Sequence, residues 1–190
     1  MYDSFNTLKN DCLLCRRCGL CEGRTTVVFG TGNENSNILF IGEGPGEQED
    51  LRAEPFVGRS GKLLDLYLNG IGLDRKKNIY IANIVKCRPP QNRDPLPQEQ
   101  EECLFWLREQ VRLMRPKIIV CLGRISAAKL ISPQFKVTVD HGVFYDKKGI
   151  LMMGTFHPAA LLRDPRKKED ALEDFLKLKE QLEKIKAAQN

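Results

Sequence analysis

Apolar residues in this chain fall into short runs and stripes, and their spacing predicts the elements. Residues 38–41 (Ile-Leu-Phe-Ile) and 118–122 (Ile-Ile-Val-Cys-Leu) are unbroken apolar runs of strand length, the pattern of strands covered on both faces. They predict strands over residues 37–42 and 117–122, and an Ile- and Tyr-rich run predicts another over 78–85. Elsewhere the period is helical. Phe5, Leu8 and Cys12 or Leu13 share one face of a short helix capped near Ser4. Leu63, Leu64, Tyr67 and Leu68 mark a helix over 61–70, and Cys103, Leu107, Val111 and Met114 mark one over 98–114 that Pro116 stops. A short helix follows the 117–122 strand and runs to Ile131. Residues 144–155 read as a hairpin around Asp146-Lys147-Lys148-Gly149. The tail, 168–187, is a helix carrying Leu172, Phe175, Leu176, Leu182 and Ile185, while Pro89, Pro90, Pro95 and Pro97 make an irregular loop. Strands alternating with helices imply a mostly parallel sheet with helices on both faces.

Length and composition narrow the class. A chain of 190 residues suits one compact domain, and no internal repeat or low-complexity stretch divides it. At this size about two-thirds of the unfolded surface is buried, so the core stands without disulfides. An apolar content of 42% excludes a disordered chain, and no apolar run approaches the ~20 residues of a membrane helix. The N-terminus lacks a basic region followed by an apolar core, which places the protein in the cytoplasm. The net charge of +5 decides little. The tail from Arg163 to Lys186 holds eight basic against seven acidic residues and reads as a solvated face, so the surplus lies nearer the cysteines and glycines.

Seven cysteines in such a chain need a reason. Cys12, Cys15, Cys18 and Cys21 are each three apart, Cys87 and Cys103 follow, and Cys121 sits inside an apolar run as a small core residue. A Cys-x-x-Cys pair chelates, because two thiolates so spaced can reach one metal. Cys15, Cys18, Cys87 and Cys103 together make a four-thiolate set that suits zinc or an iron–sulfur cluster. Cys12 and Cys21 stay ambiguous, since three Cys-x-x-Cys pairs can be drawn. A second motif is the turn Gly42-Glu43-Gly44-Pro45-Gly46. A strand ending so before a helix leaves backbone N–H groups open at the carboxyl edge of the sheet, where ligands bind in open α/β folds. Its spacing is neither a dinucleotide fingerprint nor a P-loop. The third motif is Phe156-His157-Pro158-Ala159-Ala160-Leu161-Leu162-Arg163, where a histidine, two leucines expected to be exposed and an arginine form a surface-facing device.

In combination these motifs resemble the family 4 uracil-DNA glycosylases, the iron–sulfur type. The resemblance spans nearly the whole chain. It rests on Cys15-Arg-Arg-Cys18-Gly-Leu with Gly23-Arg24, on Gly42 to Asp50, on Pro55-Phe-Val-Gly58, on Asn83-Ile-Val-Lys-Cys87-Arg-Pro-Pro90 with Asn92-Arg93, and on His157 to Arg163. It implies an α/β/α three-layer sandwich around a four-stranded, mostly parallel sheet. It also implies a 4Fe–4S cluster on Cys15, Cys18, Cys87 and Cys103, joining the cysteine segment at about 12–24 to the rest of a single 1–190 domain.

The same resemblance assigns roles. Gly42, Gly44 and Glu47 belong to the water-activating turn, with Glu43 a candidate catalytic group. Phe56 stacks on the flipped base, Asn83 reads its edge from an amide whose orientation the second strand locks, and His157 binds uracil O2. Leu161 is the wedge that fills the vacated stack, and Arg163 and Arg93 contact DNA. Other members of the superfamily carry an aspartate at the place of Gly44 and a tyrosine at that of Gly46, losses that family 4 shares. The expected partner is uracil-containing DNA, single- or double-stranded, met by a monomer. Two alternatives are weighed against this. A catalytically silent nucleic-acid-binding module would lack Asn83 or His157, and both are present. An iron–sulfur electron carrier would leave the glycine turn and the histidine motif idle.

Overall fold

The computed structural model describes residues 2–188, so the outermost residues of the expected 1–190 domain lie outside the described residues. The strands are β1 (Thr31–Gly32), β2 (Ile38–Gly42), β3 (Tyr80–Asn83), β4 (Ile118–Leu122), β5 (Phe144–Lys147) and β6 (Ile150–Thr155). The helices are α1 (Phe5–Leu13), α2 (Leu20–Gly23), α3 (Glu47–Arg52), α4 (Arg59–Gly70), α5 (Pro97–Met114), α6 (Arg124–Leu130), α7 (Val137–Asp140), α8 (Pro158–Arg163) and α9 (Lys168–Ala187).

One mixed sheet has the order β1-β3-β2-β4-β6-β5. Its four central strands are parallel, as expected. The four-stranded expectation is corrected to six by antiparallel edges. β1 is too short to show a period, and β5 pairs with β6 across the hairpin anticipated at 144–155.

Alternate side chains of the central strands point to opposite faces. Leu39, Ile41, Ile119 and Cys121 meet Leu8 and Cys12 of α1 and Leu104 and Leu107 of α5. Ile38, Phe40, Val120 and Leu122 meet Leu64 and Leu68 of α4 and Phe175 and Leu178 of α9. This builds the three layers, each fully buried aliphatic or aromatic side chain contributing about 1.5–3 kcal/mol. α1 begins where the sequence places it, with Ser4 Oγ accepting from Thr7 N at 3.2 Å.

The parallel strands all end at one edge. Gly42 is paired with Asn83 and Leu122 with Thr155, so the segments after β2, β3, β4 and β6 converge there. β3 lies on one side of β2 and β4 on the other, which makes that edge the switch point where such sheets bind ligands.

Candidate active site

A cleft of about 500 Å³ opens at this edge. Glu43, Gly44, Glu49, Phe56, Asn83, Asp94, Arg124, His157 and Arg163 all contribute to its walls. Beneath it the ends of β2 and β3 leave little room, since a Cβ on Gly42, which does not itself line the cleft, would collide with Asn83 Oδ1 and the Phe56 ring. Gly123 has φ +93°, and a Cβ there would lie 2.8 Å from the His157 Cβ, so the turn after β4 needs glycine to admit the imidazole.

Asn83 is 1% exposed, and among the described residues its side-chain Oδ1 is buried with no hydrogen-bond partner. A buried amide oxygen left unpaired costs about 1–3 kcal/mol, a cost that a ligand donor would remove. The expected hydrogen-bonded lock on this amide is absent among the described residues. Main-chain contacts hold the residue instead: the pairing with Gly42 and a 3.1 Å bond from Lys86 Nζ to the Asn83 carbonyl.

Phe56 is buried at the cleft wall with φ +53°, a left-handed backbone that an aromatic residue adopts only when its surroundings hold it. Glu49 supplies the hold. Its Oε1 accepts from Val57 N at 2.9 Å and Gly58 N at 3.1 Å. The Phe56 and His157 rings lie 5.5 Å apart at 31°, a tilted contact between two residues that both line the cleft.

His157 caps α8, with Ala159 N donating to its Nδ1 at 3.1 Å. Nδ1 is therefore the acceptor, and Nε2 carries the proton. Burial, then the nearby Arg163 charge, lowers its pKa to about 4, so the ring is a neutral donor at physiological pH. Glu43 is pushed up to about 7, first by burial and then by the charge of Asp94; Arg124 and Arg163 oppose the rise. Asp94 is itself ion-paired with Arg124.

Several expected residues are placed differently. Leu161 is 1% exposed and packs on Phe156 and Ala171, so it anchors α8 and is no surface wedge. Its neighbour Leu162 is 42% exposed. A single helical turn carries both leucines, and only one can face the core. Glu47 is exposed and reaches toward Arg88 at 3.9 Å, away from the cleft, where Glu49 stands instead. Arg93 lines the cleft, but its two Nη atoms are bound to Glu99 at 2.9 and 2.7 Å. Arg166 and Lys167 are paired with Asp164 and Asp170, whereas Arg163 has no ion pair among the described residues. Asp94 and Arg124 went unnoticed in the sequence because a lone acid in a proline loop and an arginine at a helix start carry no spacing signal.

Behind β3 the cysteines converge. Cys15, Cys18, Cys21, Cys87 and Cys103 line one small cavity with Arg24, Lys86 and Trp106. Cys12 is buried beneath it in the α1 core. Three N–H groups point at sulfur: Arg24 Nη1 at Cys87 (3.3 Å), the Lys86 amide at Cys103 (3.2 Å) and Trp106 Nε1 at Cys15 (3.2 Å). Such donors favour thiolate over thiol. Burial works against them, pushing Cys103 up to about 12, so a bound metal is what would keep these thiols ionised. Among the described residues no three Cys, His, Asp or Glu side chains gather closely enough for a single ion. The buried Asp50 fixes the adjoining segment, accepting from Thr25 N and Thr26 N at 2.9–3.0 Å.

Residues 29–183 match the uracil DNA glycosylase superfamily. The type-4 uracil-DNA glycosylase of Archaeoglobus fulgidus is 41% identical over 186 residues, covering 94% of this chain and 93% of that protein. The type-4 enzyme of Sulfurisphaera tokodaii is 40% identical over 187 residues (94% and 84%), and that of Thermotoga maritima 41% over 174 residues (90% of each).

Proposed function

The chain belongs to the uracil-DNA glycosylase superfamily, and from that premise we propose that its cleft receives uracil flipped out of DNA and hydrolyses the N-glycosidic bond. Free uracil and an abasic site are the products, the opening step of base excision repair. The observation that carries the reading is the unpaired, buried Asn83 Oδ1 at the cleft floor. It is an acceptor without a donor, packed against Gly42; with the amide turned to the cleft, uracil N3–H would supply that donor, whereas N3 of cytosine is an acceptor.

The remaining groups fit the same step. Phe56 gives the extruded ring a stacking face, worth about 1–3 kcal/mol per base. As the N1–C1′ bond breaks, its electron pair goes to uracil, and the neutral Nε2–H of His157 donates to O2 where the negative charge gathers. One such preorganised donor is worth about 10²–10³ in rate. Glu43 accepts a proton from the water whose oxygen bonds to C1′. Leu162, exposed beside Arg163, fills the stack in a duplex, and Arg163 meets a backbone phosphate.

We assign a 4Fe–4S cluster to Cys15, Cys18, Cys87 and Cys103. The three N–H···S donors, and the one cavity that these four cysteines line, support this choice. When bound, the cluster ties the 12–24 segment to the β3 exit and α5; the glycosylase step itself moves no electrons. The protein acts as a cytoplasmic monomer of one domain, on single- and double-stranded DNA. No helix among the described residues is long and apolar enough to cross a membrane.

The test is to incubate purified protein with oligonucleotides carrying one uracil or one cytosine, followed by alkali. Strand breakage at uracil alone is expected. Intact uracil strands with cluster-loaded protein would overturn the reading.

A further inference from the structure

Lys86 is 1% exposed, yet among the described residues no carboxylate pairs with it. Its ammonium has two neutral acceptors, the Asn83 carbonyl at 3.1 Å and Gln110 Oε1 at 2.7 Å. It also lies 5.9 Å from the centre of the Phe29 ring. Gln110 is fixed in turn, its Nε2 donating to the Phe29 carbonyl at 2.9 Å. The Lys86 main chain is pinned on both sides. Its amide donates to Cys103 Sγ at 3.2 Å, and its carbonyl accepts from Val28 N at 2.8 Å. A buried ammonium is costly without an anion nearby, and the nearest candidates are the sulfurs of the cysteine cage. One residue therefore touches the cage with its backbone and the base-reading residue with its side chain.

We propose that Lys86 is a positioning residue that transmits the state of the cysteine cage to Asn83. No hydrogen bond among the described residues orients the Asn83 side chain, so its aim depends on where its main chain is held. The Lys86 ammonium holds that main chain from the cage side. A filled cage of thiolates supplies the negative charge that keeps the ammonium in place. The cage thus does more than staple the N-terminal segment. It sets the register of the strand end that reads the base. This inference rests on the uracil-reading role given to Asn83 above.

The experiment compares wild type, Lys86→Met and Lys86→Gln for iron per chain, visible absorption, hydrogen exchange across residues 83–86, and kcat and KM on a uracil-containing single strand. Lys86→Met is expected to keep its iron and absorption and to exchange faster over 83–86. Its kcat should fall about tenfold, the scale of one lost charged hydrogen bond, with little change in KM. Lys86→Gln, whose amide can still donate to the Asn83 carbonyl, should recover part of kcat. Iron-loaded Lys86→Met at wild-type kcat would overturn the proposal alone. So would activity that falls only in proportion to lost iron, or no recovery in Lys86→Gln. If Lys86→Met fails to fold, Lys86→Gln carries the same comparison. A loaded wild type without uracil cleavage would overturn the underlying reading as well.

Discussion

Two titrating residues line the cleft with shifts of opposite sign. Glu43 is raised to about 7 and acts as a base only when ionised, so kcat/KM should climb as pH rises through about 7. His157, lowered to about 4, adds no limb of its own between pH 5 and 8. A pH–rate profile of wild type and Glu43→Gln checks this. The variant should lose the limb and about 10²-fold or more in rate, the scale of general base catalysis. Stability follows the same linkage. The raised Glu43 favours folding below about pH 4.5, and that contribution is lost as pH rises through about 7. Glu43→Gln should therefore melt above wild type at pH 8. The lowered His157 runs the other way, with a contribution present above its ordinary value of about 6.5 and lost as pH falls toward 4. Residue identities at the site were legible where a motif fixed their spacing, as for Asn83, Phe56 and His157. What the sequence hid was which rotamer or helix face each took, as Glu47 and Glu49 show: both lie in the first turn of α3, and only packing against the Phe56 loop selects Glu49.

Helix α8 illustrates the same limit for an element. Its six residues present Leu161 to Phe156 and Ala171 and Leu162 to solvent. Chain order alone gives no basis for choosing between adjacent leucines, since one residue step turns the helix by about 100° and the core decides which faces it. Leu161→Ala should cost about 2–5 kcal/mol in a denaturant melt, as for a large-to-small core change. Leu162→Ala should leave stability within about 0.5 kcal/mol and slow duplex cleavage more than single-strand cleavage. Equal slowing on both substrates in Leu162→Ala would remove the wedge from this position. Elements with strong periods, such as α5, α9 and β4, were readable nearly to their ends. β1, two residues in a glycine loop, was not, because pairing with β3 creates it.

Across the whole molecule, the parallel centre of the sheet and its two helix layers follow from the alternation of apolar runs with helical stripes. The edges and the convergence of four strand ends depend on long-range pairing that no local window contains. That convergence is what makes Gly42, Asn83, Gly123 and His157 neighbours, and it places the cysteine cage directly behind the β3 exit. The glycosylase reading proposed above turns on Asn83, whose buried amide oxygen is assigned to the N3–H of a flipped uracil. The most direct measurement is single-turnover cleavage of two single-stranded oligonucleotides identical except that one carries uracil and the other N3-methyluracil. Losing a hydrogen bond that a site is built to make, and leaving its buried partner unpaired, costs a large factor in rate. We predict cleavage of the uracil strand and a loss of about 10²-fold or more on the methylated one; equal rates on both would contradict the assignment of Asn83 as the reader of the base.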